Sequence, residues 1–162
     1  MSNFSIQERI NQELDKISQA LQQLEMFLKQ LTNQSEAIYQ EAFVNSIALN
    51  LQGIYTGIER IFQVIAKEID LRVPTGDKWH RDLLEQMMVD IPNVRNAVLT
   101  EETRLILDEL RRFRHVVRSA YSFQLDEKKV LVIASQISNC HQVFINEIQL
   151  FCNSLNNGDI KS

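Results

Sequence analysis

The sequence has few residues that break regular structure. Its 162 residues include only 4 glycines and 2 prolines, well below average usage. An all-β chain needs a turn about every 8–12 residues, so this scarcity argues against an all-β fold. Hydrophobic residues make up 44% of the chain and charged residues 23%, which excludes wholesale disorder. The length predicts one domain, and the composition predicts long helices joined by short loops.

Long apolar runs and closely spaced cysteines are lacking as well. No stretch approaches the roughly 18 uninterrupted apolar residues of a membrane span, and residues 1–8 lack the basic start and apolar run of a signal peptide. Cys140 and Cys152 would lie ~18 Å apart on one helix, too far for a disulfide, and their spacing is not that of a metal site. We therefore expect a cytoplasmic protein with two buried thiols and with no membrane contact, metal or cofactor.

Hydrophobic periodicity predicts an all-α fold, an antiparallel bundle of five helices. Thr100 and Asp126 stand where N-caps are expected. Residues 1–153 are predicted to form a single domain, followed by a flexible tail over residues 154–162. The predicted helices cover residues 5–31, 36–70, 78–89, 101–121 and 127–154.

Two features of the first two helices are open to alternative interpretations. From Ile10 to Leu31, Ile and Leu residues alternate in steps of four and three and form a heptad seam. This seam is either a dimerising or partner-binding surface or the packing edge of the bundle. Gly53 and Gly57 lie within the second helix, where each costs ~1 kcal/mol relative to Ala. Their presence indicates the close approach of another backbone or of a ligand, and we expect close packing.

Residues 110–121, LRRFRHVVRSAY, depart most from the charge balance of the chain. The net charge is -4, which argues against a general nucleic-acid binder. This segment nevertheless holds four arginines, one histidine and no acid. Guanidinium groups bind phosphate bidentately, and histidine can exchange protons near neutral pH. On a helix, one broad side would carry Arg111, Arg114, His115 and Arg118, with Tyr121 at its C-terminal end.

The same side also has a purely structural interpretation. Arginines near a helix C-terminus complement the helix dipole, and acids of the second predicted helix could pair with them. The acids considered are Glu41, Glu59, Glu68 and Asp70. Glu59 could in particular orient a motif arginine. His80, beside Trp79, has no second metal-type ligand at helical spacing, so we expect a structural role for it.

Three segments resemble HEPN-domain proteins, most closely their HepT-like branch, the toxin component of bacterial toxin–antitoxin pairs. The likeness covers residues 43–150 and rests on FRHVVRSAY (113–121), YTGIERIF (55–62) and PTGDKWHRDLLEQMM (74–88). The resemblance implies a homodimeric helical bundle that acts as a metal-independent RNase. Its composite site would form where two copies of the motif helix meet. A small nucleotidyltransferase would serve as the antitoxin and add AMP to the motif tyrosine.

In the HepT-like pattern an arginine is followed, after four residues, by a histidine, then one residue, then a tyrosine. The arginine corresponds to Arg114 and the tyrosine to Tyr121, but Ser119 stands at the histidine position. A serine hydroxyl is not ionised near neutral pH, so Ser119 cannot take a proton from a ribose 2′-hydroxyl, although it can hydrogen-bond a phosphate. His115, ~6 Å away on the same side, is the substitute base, and Arg111 and Arg118 are the expected phosphate ligands.

The departure at Ser119 leaves several functions open. Loss of one general base typically costs about 10²–10⁴-fold in rate, so we expect weak or absent RNA cleavage. The alternative is a non-catalytic module of the same fold that binds a nucleotidyltransferase, a nucleotide or RNA. A third possibility is a structural dimer joined through the heptad seam. Tyr121 is accordingly either the residue that receives AMP or a core tyrosine.

Overall fold

A computed structural model describes residues 3–157 of the chain, with side chains for residues 5–157. Five α-helices account for most of it, and a short 3₁₀ helix, Ser122–Gln124, precedes the last one. The predicted all-α bundle is therefore confirmed. The helices are α1 (Asn3–Thr32), α2 (Ala37–Glu68), α3 (Trp79–Gln86), α4 (Glu101–Val117) and α5 (Glu127–Asn156).

The heptad seam of α1 is the packing edge of the bundle. Its residues from Ile10 to Leu24 are buried in the common core, and α1 packs along α2. Gly57 marks the closest approach of the two helices, since a Cβ there would lie 2.8 Å from Cγ1 of Ile17. Nothing lies within 4 Å of a Cβ added at Gly53. The expected close packing therefore holds at Gly57 and not at Gly53.

Both predicted N-caps are present. The Thr100 hydroxyl accepts the backbone N–H of Thr103 at 3.4 Å, and the Asp126 carboxylate accepts that of Lys129 at 3.3 Å. Each cap satisfies a backbone donor that the first turn of a helix leaves without an intrahelical partner. These contacts fix the start of α4 and of α5.

The C-terminal ends of the last two helices differ from the prediction. Helix α4 ends at Val117 rather than near Tyr121, because the backbone N–H groups of Ser119 and Ala120 bond the carbonyls three residues earlier. The chain is extended at Tyr121, with φ -73° and ψ 150°. Helix α5 continues to Asn156, and residues 158–162 of the predicted tail lie outside the described part of the chain.

A buried ion pair joins the end of α2 to the loop between α3 and α4. Arg95 donates from Nε and from a terminal nitrogen to the two carboxylate oxygens of Asp70, at 2.6 and 2.7 Å. The two side chains are only 1% and 0% exposed. Gln86, at the end of α3, also donates to Asp70 at 2.7 Å. Three segments that are distant in sequence are thereby held together.

Cys140 and Cys152 are free thiols, as expected. Cys152 is buried, whereas Cys140 is only partly buried. Burial raises the pKa of each thiol to about 11. Both side chains therefore remain protonated at neutral pH and are poor nucleophiles.

Candidate functional site

The cationic side of α4 lines a cavity of about 290 Å³. The rest of the lining comes from the segment that leads into α3 and from its first turn. Asp77 is the only acid among the described residues that line the cavity. The other lining residues are Lys78, His80, Arg81, Arg111, Arg114, His115 and Arg118. The structure thus brings together four of the predicted site residues and adds three cationic or imidazole side chains from α3 and its approach.

The acids considered from the sequence do not pair with the arginines of α4. Glu68 pairs with Arg9 at 3.1 Å and Asp70 with Arg95, so the structural interpretation of the α4 arginines as partners of these acids is wrong. Arg111 pairs instead with Asp108 of its own helix at 2.9 Å. Among the side chains of residues 5–157, no acid forms an ion pair with Arg114, His115 or Arg118.

Helix α2 orients Arg114 through a hydroxyl group. Thr56 Oγ1 donates to the Gln52 carbonyl at 3.0 Å and accepts Nε–H of Arg114 at 3.2 Å. The bond fixes the stem of the guanidinium group and leaves its two terminal nitrogens available. Such an arrangement suits bidentate binding of a phosphate.

A buried carboxylate holds His80 at the edge of the cavity. Glu59 Oε2 lies 2.6 Å from Nδ1 of His80, and Glu59 is only 5% exposed. A carboxylate can only accept, so Nδ1 carries a proton, and in the neutral form of the ring the lone pair is on Nε2, at the other edge. The Trp79 indole stacks on the imidazole with ring centroids 3.6 Å apart. The ring orientation is fixed from two sides.

The sequence pattern did not reveal this pair. Glu59 was expected to contact an arginine, but its partner is His80. One signal was present, because Glu59 lies among the apolar positions of α2. A buried acid needs a cationic or hydrogen-bonding partner.

Tyr55 is buried next to these charges. Burial, and secondarily the Glu59 carboxylate, raise the pKa of the phenol, while Arg111 and Arg114 partly oppose that rise. The phenol is therefore neutral near neutral pH.

Ser119 and Tyr121 lie beyond the end of α4 and do not line the cavity. The Ser119 hydroxyl donates to the Val116 carbonyl at 3.2 Å. Tyr121 is 70% exposed, and its ring is parallel to that of Phe123 with centroids 5.6 Å apart. The interpretation of Tyr121 as a core tyrosine is therefore wrong.

The fold and the cavity together define a class of protein, an α-helical bundle in which guanidinium and imidazole groups are clustered at one cavity. The family model for HepT-like proteins matches residues 46–155, well over half of the chain. The chain therefore belongs to the HepT-like protein family, in agreement with the resemblance seen in its motifs. No curated protein and no solved structure matches it significantly. None of the described helices is long and apolar enough to cross a membrane.

Proposed function

We propose that this chain is the RNase component of a HepT-like toxin–antitoxin pair and that it cleaves RNA slowly and without a metal ion. One observation carries the proposal. In a chain of net charge -4, four arginines and two histidines converge on one cavity. Membership of the HepT-like family supports the same function. Its site of action would be the cytoplasm, where its RNA substrate is found.

The cavity suits a phosphodiester because of its charge and its donors. Guanidinium groups stay protonated at all relevant pH values and offer paired N–H donors to phosphate oxygens. Arg114 presents its terminal nitrogens, and the exposed Arg118 extends the cationic surface. Cleavage is expected to be slow because Ser119 stands where the family motif has a histidine.

The test uses Arg114→Ala and a matched control, Arg112→Ala. Arg112 leaves the same helix on another side, is exposed, and contacts Asp108 instead of lining this cavity. With a chelator present, the wild-type chain and Arg112→Ala should shorten a single-stranded RNA over hours. Arg114→Ala should lose that cleavage and much of the RNA affinity. Equal cleavage by both variants, or intact RNA at high protein concentration, would contradict the proposal.

We also propose that the chain functions as a homodimer that pairs α4 with its copy. Leu105 and Val116 on α4, and Val132 and Val143 on α5, are exposed apolar side chains. The seam of α1 is buried within the chain from Ile10 to Leu24, so most of it is not available to a partner. Light scattering should give a dimer mass for the wild-type chain and a monomer mass for Val116→Asp.

A second candidate function is a non-catalytic module that receives AMP from a nucleotidyltransferase partner. Ser119 favours it, since this residue cannot act as a base and is outside the cavity. The exposed Tyr121 phenol is accessible to such an enzyme. Co-expression with a small nucleotidyltransferase should add the mass of AMP to the wild-type chain and to Tyr39→Phe, another exposed tyrosine. Tyr121→Phe should stay unmodified, and addition of AMP to that variant would contradict this function.

A further inference from the structure

The Glu59–His80 pair and the stacked Trp79 hold an imidazole in a fixed orientation at the cavity. We propose that His80 is the base that deprotonates the ribose 2′-hydroxyl, in place of the histidine that Ser119 replaces. Glu59 is the positioning residue that holds its imidazole. This inference rests on the RNase function proposed above.

The geometry distinguishes His80 from His115, the substitute base expected from the sequence. The buried Glu59 carboxylate, 2.6 Å from Nδ1, fixes the His80 tautomer and favours the imidazolium that forms when Nε2 takes a proton. His115 is exposed, and it forms no ion pair with any described carboxylate. His80 is therefore the better-oriented proton acceptor of the two.

His80 and the phosphate-binding groups also share one cavity. His80 lines it from α3, and Arg114 and His115 line it from α4. A phosphate bound by Arg114 would lie in a cavity that both imidazoles line. General acid–base catalysis needs two such groups, one that accepts the proton of the attacking hydroxyl and one that donates a proton to the leaving oxygen.

In the proposed step, Nε2 of His80 takes the proton of the 2′-hydroxyl, and the 2′-oxygen forms a bond to the adjacent phosphorus. The bond from phosphorus to the 5′-oxygen breaks, and that oxygen takes a proton from the His115 imidazolium. The products are a 2′,3′-cyclic phosphate and a 5′-hydroxyl end. Water returns each histidine to its starting protonation state.

The experiment compares His80→Ala with His141→Ala in the full-length chain. His141 lies on α5, where its Nδ1 contacts the Ser138 carbonyl at 2.7 Å, and it does not line the cavity. Cleavage is followed on a short RNA, and binding is measured with the 2′-deoxy form of the same oligonucleotide, which lacks the attacking hydroxyl. His80→Ala should cleave about 10²–10⁴-fold more slowly and bind the deoxy oligonucleotide as the wild-type chain does. Added imidazole should restore part of its rate.

The variant Glu59→Gln tests the positioning role. A glutamine can still accept the Nδ1 proton but carries no charge to stabilise the imidazolium, so kcat should fall while KM stays unchanged. His141→Ala should keep the wild-type rate.

The outcomes separate this inference from the proposed function. If the wild-type chain cleaves and His80→Ala cleaves equally fast, His80 is not the base but the RNase function stands. His80 is also not the base if the variant loses binding along with cleavage, or if imidazole restores nothing, because those results indicate a structural role. If the wild-type chain leaves RNA intact, both the RNase function and the assigned base are overturned.

Discussion

Individual side chains at the site owe their properties to burial more than to their identity. His80 has a fixed tautomer because Glu59 is buried beside it. Tyr55 has a raised pKa chiefly because burial disfavours its phenolate. Buried ionisable groups of this kind link the stability of the fold to pH.

The free energy of unfolding should fall as the pH rises above about 10, the ordinary pKa of a tyrosine, partly because of Tyr55. The raised pKa keeps the folded phenol protonated where the unfolded one has lost its proton. Unfolding then releases a proton, so alkali favours the unfolded state. Urea denaturation over a series of pH values checks this, and Tyr55→Phe should show a shallower decline. If the free energy of unfolding falls equally with pH in the wild-type chain and in Tyr55→Phe, other groups cause the effect.

Single helices show where the sequence pattern is sufficient and where it fails. The caps at Thr100 and Asp126 were predictable because a cap is a contact over three residues. The end of α4 was not, because residues 118–120 contain no glycine or proline. Two motif positions, Ser119 and Tyr121, consequently leave the helical face on which they were expected.

The two glycines of α2 should respond in opposite ways to alanine. Gly53→Ala should raise the free energy of unfolding by about 0.5–1 kcal/mol, because alanine has the higher helix propensity and the added methyl has free space. Gly57→Ala should lower it, since its Cβ would lie 2.8 Å from the Ile17 side chain. Urea denaturation of both variants measures the difference. A higher free energy of unfolding for Gly57→Ala would show that α1 shifts readily to admit a methyl group.

The molecule as a whole is held together by long-range contacts that local patterns do not reveal. Glu59 and His80 are 21 residues apart in sequence, and Asp70 and Arg95 are 25 apart. Helix order and the basic segment were predictable, because periodicity and charge are read locally. Which acid pairs with which cation depends on how the helices pack, so Asp70 and Glu59 were assigned to the wrong partners.

Breaking the Asp70–Arg95 pair should destabilise the entire fold. Asp70→Ala leaves Arg95 buried without a counter-charge, which costs about 3–5 kcal/mol, and it frees the loop that joins α3 to α4. Thermal unfolding followed by circular dichroism checks this. Glu101→Gln, which breaks the exposed pair with Arg104, is the control and should barely change the midpoint. An equal fall in the unfolding midpoint for both substitutions would show that the buried pair stabilises the fold no more than the exposed pair does.

The cavity gathers like charges that the unfolded chain would keep apart. Packing α3 against α4 brings Lys78 and Arg81 to the same cavity as the α4 arginines, and their mutual repulsion opposes folding. An anion bound there relieves that repulsion. Because the anion binds the folded state and not the unfolded one, it should raise the free energy of unfolding. Inorganic phosphate should therefore raise Tm more than sodium chloride of equal ionic strength. The folded state therefore carries an electrostatic cost that a bound anion would remove.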